Sequence, residues 1–169
     1  MPDDDIVDAA VRLLDTCRRK KLTIATAESC TGGLVAGMLS EIPGVSSMLD
    51  RGFITYSNDA KRDMLGVSAQ TLDTYGAVSS QTAEEMVRGA LARAPVDLAV
   101  SVTGIAGPDG GGIEKPIGLV HFAAASRSGQ FHQVEKRFGN PGRSEIRKLS
   151  VLQAFVMLHD LAEKEPANS

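Results

Sequence analysis

A hydroxyl, a thiol and two glycines stand together in Glu28-Ser29-Cys30-Thr31-Gly32-Gly33, between a stretch of strand character and one of helix character. In open α/β sheets, ligands gather at the carboxyl ends of strands. Glycines at such a turn admit a close ligand, and the helix start that follows offers free N–H groups and a positive dipole end. Ser29 on that turn has the exposure a nucleophile needs, with N–H groups nearby of the kind that stabilise an oxyanion. The segment is not a G-x-S-x-G elbow, because Ala27 and Thr31 stand two positions either side of Ser29. A plain strand-to-helix turn capped by Ser29 or Thr31 is the competing reading. Cys30 competes as nucleophile, since a helix N-terminus activates a thiolate. Adjacent side chains leave a turn in different directions, so one of the two faces the site, and Cys30 is read as a small packed residue.

A serine nucleophile needs a base. His121, His132 and His159 fall on elements with no carboxylate pairing in view and are read as structural. Lysine is the other base used with serine, once desolvation or neighbouring cations lower its pKa. Tyr56-Ser57-Asn58-Asp59-Ala60-Lys61 puts a phenol and an amine just past a strand end. The spacing is not S-x-x-K, and an ordinary exposed helix lysine is the alternative. A second glycine-rich segment, Thr103 to Gly112, follows the most apolar strand and offers backbone N–H groups to an anion. Ile113-Glu114 stands where a Walker A loop needs Lys-Ser/Thr, so the loop is generic, and a flexible approach to a hairpin would look the same. Arg143 and Arg147, four apart near a helix start, share a face suited to a phosphate or simply to solvent.

Periodicity supplies the elements that must position these groups. Residues 5–18 carry Ile6, Ala10, Leu14 and Cys17 at helical spacing, ending in Arg18-Arg19-Lys20-Lys21, where cations suit a helix end. Strands are predicted over 22–27, 52–57, 97–102, 118–125 and 130–138, the last two as a hairpin around Ser128-Gly129. Helices are predicted over 32–39, over 58–65 (capped by Asn58 or Asp59 and stopped by Gly66) and over 81–93. Ser80 is the expected cap of the last of these, with Glu84 and Glu85 in its first turn. A turn capped by Ser68 runs through Leu72, and a long helix covers 141–163. This alternation predicts an α/β fold, a three-layer α/β/α sandwich with a mixed, partly parallel sheet and a late β-hairpin.

Composition narrows the function classes. At 169 residues the chain is expected to form a single domain over 1–169, with an ordered core over 5–163. A net charge of −3 and only 4% aromatics argue against nucleic acid as a partner. No apolar run of membrane-spanning length occurs, and an acidic start in place of a basic leader points to the cytoplasm. Two cysteines build neither a disulfide scaffold nor a zinc cluster. No ligand-spaced His/Asp/Glu constellation calls for a metal, and no cofactor is expected.

Taken together, AESCTGG, GFITYSNDAK, SVTGIAGPDGG, KPIGLV and NPGRSEIR resemble the C-terminal domain of the competence/damage-inducible CinA family, from about Asp5 to Leu161. The resemblance implies the activity of the family's stand-alone members, which are nicotinamide-nucleotide amidohydrolases. They convert nicotinamide mononucleotide to nicotinate mononucleotide and ammonia. Longer members add an N-terminal molybdopterin-binding-like domain, for which this chain is expected to have no room. Ser29 matches the family's nucleophile, and Tyr56 and Lys61 its partners. Substrate contacts are then expected from Thr31, Gly32, Gly33, Thr103, Gly104, Ala106, Gly107 and Arg143, with oxyanion and phosphate not yet divided between the two loops. A homo-oligomer, with a dimer favoured, is expected. A non-catalytic nucleotide-sensing or competence-associated binding module is the alternative reading. It would tolerate loss of Ser29 or Lys61, and both are present.

Overall fold

The computed structural model describes residues 3–169. Its elements are α1 (Asp4–Lys20), β1 (Ile24–Glu28), α2 (Leu34–Ser40), β2 (Leu49–Ile54), α3 (Asn58–Leu65), α4 (Ala69–Tyr75), α5 (Ser80–Arg93), β3 (Leu98–Gly104), β4 (Leu119–Ser126), β5 (Phe131–Arg137) and α6 (Arg143–Lys164). The five strands form one open sheet in the order β2-β1-β3-β4-β5. β1 pairs parallel with β2 and β3, while β4 and β5 are antiparallel additions. The expected mixed sheet with a late hairpin is what forms, with helices on both faces.

The two faces of the sheet differ in side-chain size. Ile24, Leu98, Val100, Val102, Val120 and Phe122 point to one face and pack under α1, α2 and α6. Ala27, Ala99, Ala123 and Ala125 point to the other, against α5 with Met86 and Val87. Small residues let α5 sit close, and Ser101 Oγ donates across the gap to Ala83 O at 2.6 Å. The close fit extends to α3. A Cβ on Gly89 of α5 would stand 2.0 Å from Leu65 O of α3, so only glycine lets the two helices approach this far. Leu65 lies four residues beyond Lys61, one turn along α3, so this contact seats the helix that carries the lysine.

Several boundaries shift from expectation, each for a local reason. β1 runs to Glu28, and β2 begins at Leu49 rather than Gly52. β2 is an edge strand with little buried surface, so Asp50 and Arg51 sit in it without cost to the core. Ser57, not Asn58 or Asp59, caps α3. Its backbone is extended and its Oγ accepts from Ala60 N at 3.0 Å, whereas Asn58 and Asp59 are already helical. Ser79, not Ser80, caps α5, accepting from Thr82 N at 3.1 Å. Glu84 and Glu85 therefore lie beyond the first turn, and Glu85 accepts from Ser68 N at 2.8 Å at the start of α4. α4 continues past Leu72 to Tyr75. β3 extends through Thr103 and Gly104, which the sequence reading placed in the loop. α6 starts two residues late, because Gly142 takes φ +108. Among the described residues no helix is long and apolar enough to cross a membrane.

Candidate active site

Three strand ends meet at one edge of the sheet. The chain leaves β1 at Glu28 into Ser29, leaves β2 at Ile54 into Thr55 and Tyr56, and leaves β3 at Gly104 into the glycine loop. Two backbone hydrogen bonds carry the ladder past the strand ends: Ser29 N to Val102 O at 2.9 Å and Thr55 N to Glu28 O at 2.8 Å. Ser29 is thus fixed between the β2 and β3 exits, at the ligand-binding edge of an α/β sheet.

Lys61 reaches that point from the first turns of α3. Its side chain is among the largest fully buried ones in the molecule, at 1% exposure. Its Nζ lies 3.0 Å from Ser29 Oγ, 3.0 Å from Thr55 O and 3.3 Å from Tyr56 O. Burial pushes the amine below its usual value of 10.5, because a charged ammonium is costly there. Three oxygens surround Nζ, enough for the three N–H groups of an ammonium, and it is burial that favours the neutral form. Carbonyl oxygens only accept, so Thr55 O and Tyr56 O take the two N–H hydrogens of a neutral amine, and its lone pair is left for the Ser29 hydroxyl. A neutral amine aimed at a hydroxyl is a general base for a nucleophile.

The turn after β1 is held by a residue that the sequence reading did not single out. Glu28 is fully buried. Its Oε1 accepts from Thr31 Oγ1 (2.6 Å), Gly33 N (3.2 Å) and Val35 N (2.9 Å), and its Oε2 from Thr26 Oγ1 (3.0 Å) and Ala36 N (3.1 Å). Five donors converge on one carboxylate at the start of α2, where the helix dipole favours an anion. Neither Ser29 nor Thr31 caps the helix. Arg147 ties the same turn from outside, donating from Nε to Cys30 O at 3.2 Å and from Nη2 to Thr31 O at 3.0 Å. An acidic residue ending a strand, directly before a glycine-rich helix start, was the available signal for Glu28.

A cleft of about 230 Å³ opens over Ser29, lined also by Cys30, Tyr56, Gly104, Ile105, Ala106, Gly107, Asp109, Gly110 and Arg143. It collects Ser29, Tyr56, Gly104, Ala106, Gly107 and Arg143 from the sequence-derived set, with Lys61 directly behind Ser29. Thr31, Gly32, Gly33 and Thr103 do not line it. Thr31 and Gly33 serve Glu28, Gly32 N donates to Ser29 O at 3.0 Å, and Thr103 Oγ1 donates to Ala77 O at 2.7 Å. The Tyr56 phenol turns away from Lys61. It accepts from Arg143 Nη2 at 2.8 Å, and Arg143 Nη1 also donates to Gly107 O at 2.6 Å. Lys61 meets Tyr56 at its backbone carbonyl instead. Cys30 is buried among the apolar side chains of α1, α2 and α6, and burial pushes its thiol up to about 12. A buried, protonated thiol makes a poor nucleophile, even at the border of the cleft.

Comparison with known proteins gives this arrangement relatives. The sequence model of the CinA C-terminal domain matches residues 7–162. The chain is 44% identical to a protein of Enterobacter agglomerans named nicotinamide-nucleotide amidohydrolase PncC, over 98% of both chains. It is 50% identical to a CinA-like protein of Shewanella amazonensis, over 81% of this chain but 32% of that one. The chain spans about a third of the length of several curated relatives that it matches. Among solved structures, the competence/damage inducible protein CihA from Agrobacterium tumefaciens superposes with a TM-score of 0.94 at 53% identity, over 95% of this chain and 98% of that one. Family model, near-full-length relatives and fold agree: the chain belongs to the CinA C-terminal domain family.

Proposed function

We propose that the chain hydrolyses the carboxamide of nicotinamide mononucleotide to nicotinate mononucleotide and ammonia. The contact that carries the mechanism is Lys61 Nζ at 3.0 Å from Ser29 Oγ. The substrate comes from the similarity to the Enterobacter agglomerans protein and to a Shewanella oneidensis protein of the same name, 48% identical over 81% of this chain.

Lys61 takes the Ser29 proton as Oγ attacks the carboxamide carbon. The N–H groups of Cys30, Thr31, Ala106 and Gly107 make no backbone hydrogen bond among the described residues and are the donors left for the oxyanion, whereas those of Gly32, Gly33 and Ile105 are already engaged. The tetrahedral intermediate collapses, the C–N bond breaks, and Lys61 returns its proton to the departing nitrogen, which leaves as ammonia. Water then attacks the Ser29 ester. Lys61 accepts the water's proton and passes it back to Ser29 Oγ as the acyl bond breaks. One amine serves both halves, so no second titratable relay is needed. Arg143 supplies the cation for the 5′-phosphate.

Ammonia release from nicotinamide mononucleotide tests this reading. The Ser29→Ala variant is expected to lose at least about 10³-fold in rate, the usual scale for removing a nucleophile. Cys30→Ala is expected to stay within about twofold of the unsubstituted chain, because its protonated thiol takes no part. Nicotinamide riboside, lacking the phosphate, is expected to turn over at least about tenfold more slowly, a charge-assisted contact being worth about 1.5–3 kcal/mol. Equal rates on riboside and nucleotide would contradict a nucleotide enzyme.

A further inference from the structure

We infer that Asp109 is the counter-charge for the substrate's ring, so that the cleft selects a cationic pyridinium carboxamide over a neutral aromatic one. The inference rests on the reading above and adds a specificity-determining residue to it.

Two charged residues line the cleft, Asp109 and Arg143, both exposed at its rim. They carry opposite signs, yet no ion pair joins them among the described residues. Arg143 is held by Gly107 O and by the Tyr56 phenol, both neutral. Asp109 has no side-chain hydrogen bond among the described residues, and it stands two positions past Gly107 on the same loop. A small cleft that presents an unpaired anion and an unpaired cation suits a ligand carrying both signs.

Nicotinamide mononucleotide is such a ligand, with a positive ring nitrogen and a negative 5′-phosphate. With the carboxamide carbon at Ser29 Oγ, the ring nitrogen stands meta to the carbon that bears the carboxamide, and the phosphate lies farther out. Phosphate on Arg143 leaves Asp109 for the ring. The reverse arrangement would set a phosphate beside a carboxylate, a like-charge contact that disfavours binding. Positive charge on the ring also withdraws electrons from the carboxamide, so the form that Asp109 favours is the form most open to attack by Ser29.

A carboxylate in this place has a second possible use, as an acceptor for ribose hydroxyls, and the test separates the two. Binding is measured by calorimetry on the non-reactive Ser29→Ala chain, with and without Asp109→Asn. The ligands are nicotinamide mononucleotide and its neutral isostere, the C-riboside 5′-phosphate of a 3-carbamoylphenyl ring. Asp109→Asn is expected to weaken the cationic ligand by roughly two- to fivefold at low salt, less at high salt, and to leave the isostere unchanged. Asp109→Glu, which keeps the charge, is expected to recover most of the loss. Equal weakening of both ligands would assign Asp109 to the ribose and overturn the inference, as would no weakening of either. Turnover by the unsubstituted chain judges the underlying reading separately. Ammonia release with no charge-dependent Asp109 effect leaves the amidohydrolase standing and removes the counter-charge alone.

Discussion

Replacing Lys61 with methionine is expected to lower kcat/KM for nicotinamide mononucleotide by at least about 10³-fold without unfolding the protein. Methionine fills a similar volume, so the buried site stays packed. It removes the amine that faces Ser29 Oγ at 3.0 Å, and with it the only base hydrogen-bonded to the nucleophile among the described residues. Stability should move the other way from activity. Burial lowers the folded-state pKa of Lys61 below its usual 10.5. The penalty on folding is full below the folded-state pKa, shrinks as pH rises between the two values, where the unfolded chain holds a proton that the folded chain lacks, and is gone above 10.5. An uncharged side chain escapes that penalty. Against this stands the loss of hydrogen bonds to Thr55 O and Tyr56 O, carbonyls that tolerate under-satisfaction better than buried N–H groups do. The melting temperature of Lys61→Met is therefore expected within about 3 °C of the parent, or above it. A large drop with partial activity would make Lys61 a structural residue. The same pKa shift sets the pH profile. Activity rises with pH as Lys61 loses its proton, and the midpoint of that rise lies below the ordinary lysine range.

Glu28→Gln is expected to have the opposite signature, with a large loss of stability and a fall in kcat. The five donors at Glu28 include the main-chain N–H groups of Gly33, Val35 and Ala36, which cannot reverse direction. An amide in place of the carboxylate turns an NH₂ group toward one oxygen's donors. Thr26 and Thr31 can rotate their hydroxyls to accept, but the main-chain N–H groups are left facing a donor. A buried unsatisfied donor costs about 1–3 kcal/mol, and loss of the charge at the helix N-terminus adds about 1 kcal/mol. A cost of about 2–4 kcal/mol corresponds to a melting temperature lower by about 4–16 °C for a chain of this size. Ser29 is the next residue, so its approach to the carboxamide loosens with the turn. kcat should fall by about ten- to a hundredfold, while KM, which the proposed substrate contacts at Arg143 and the glycine loop would set, changes little. Thermal unfolding and steady-state kinetics on one preparation check both halves. A stable Glu28→Gln variant with full kcat would show that the turn does not depend on the carboxylate.

Much of this site could be read before the fold was known, and the parts that could not share one cause. Ser29 follows the end of β1 and Lys61 sits in the helix that follows β2; β1 and β2 are parallel neighbours, so their ends lie at one edge of the sheet. The loop from Gly104 to Gly107 joins them because β3 is the next neighbour of β1. Periodicity therefore located the edge. It did not reveal where side chains go once there. The Tyr56 phenol turns to Arg143 while its carbonyl holds Lys61, a choice that no spacing encodes. Thr31 and Gly33 were read as ligand contacts because helix starts bind anions. The anion is supplied from within, by Glu28, and a buried carboxylate is hard to anticipate because glutamate is usually exposed. The caps at Ser57 and Ser79 were each displaced because two or three adjacent residues were all competent caps, and backbone geometry alone decides among them.

On the proposed mechanism, Ser29, activated by a neutral Lys61, carries the acyl group. The most direct measurement is mass spectrometry of the chain quenched in acid during turnover of nicotinamide mononucleotide, followed by peptide mapping. A nicotinate mononucleotide adduct, ester-linked to Ser29, is expected, and it disappears in Ser29→Ala along with ammonia release. An adduct on Cys30, or undiminished ammonia release from Ser29→Ala, would contradict that mechanism.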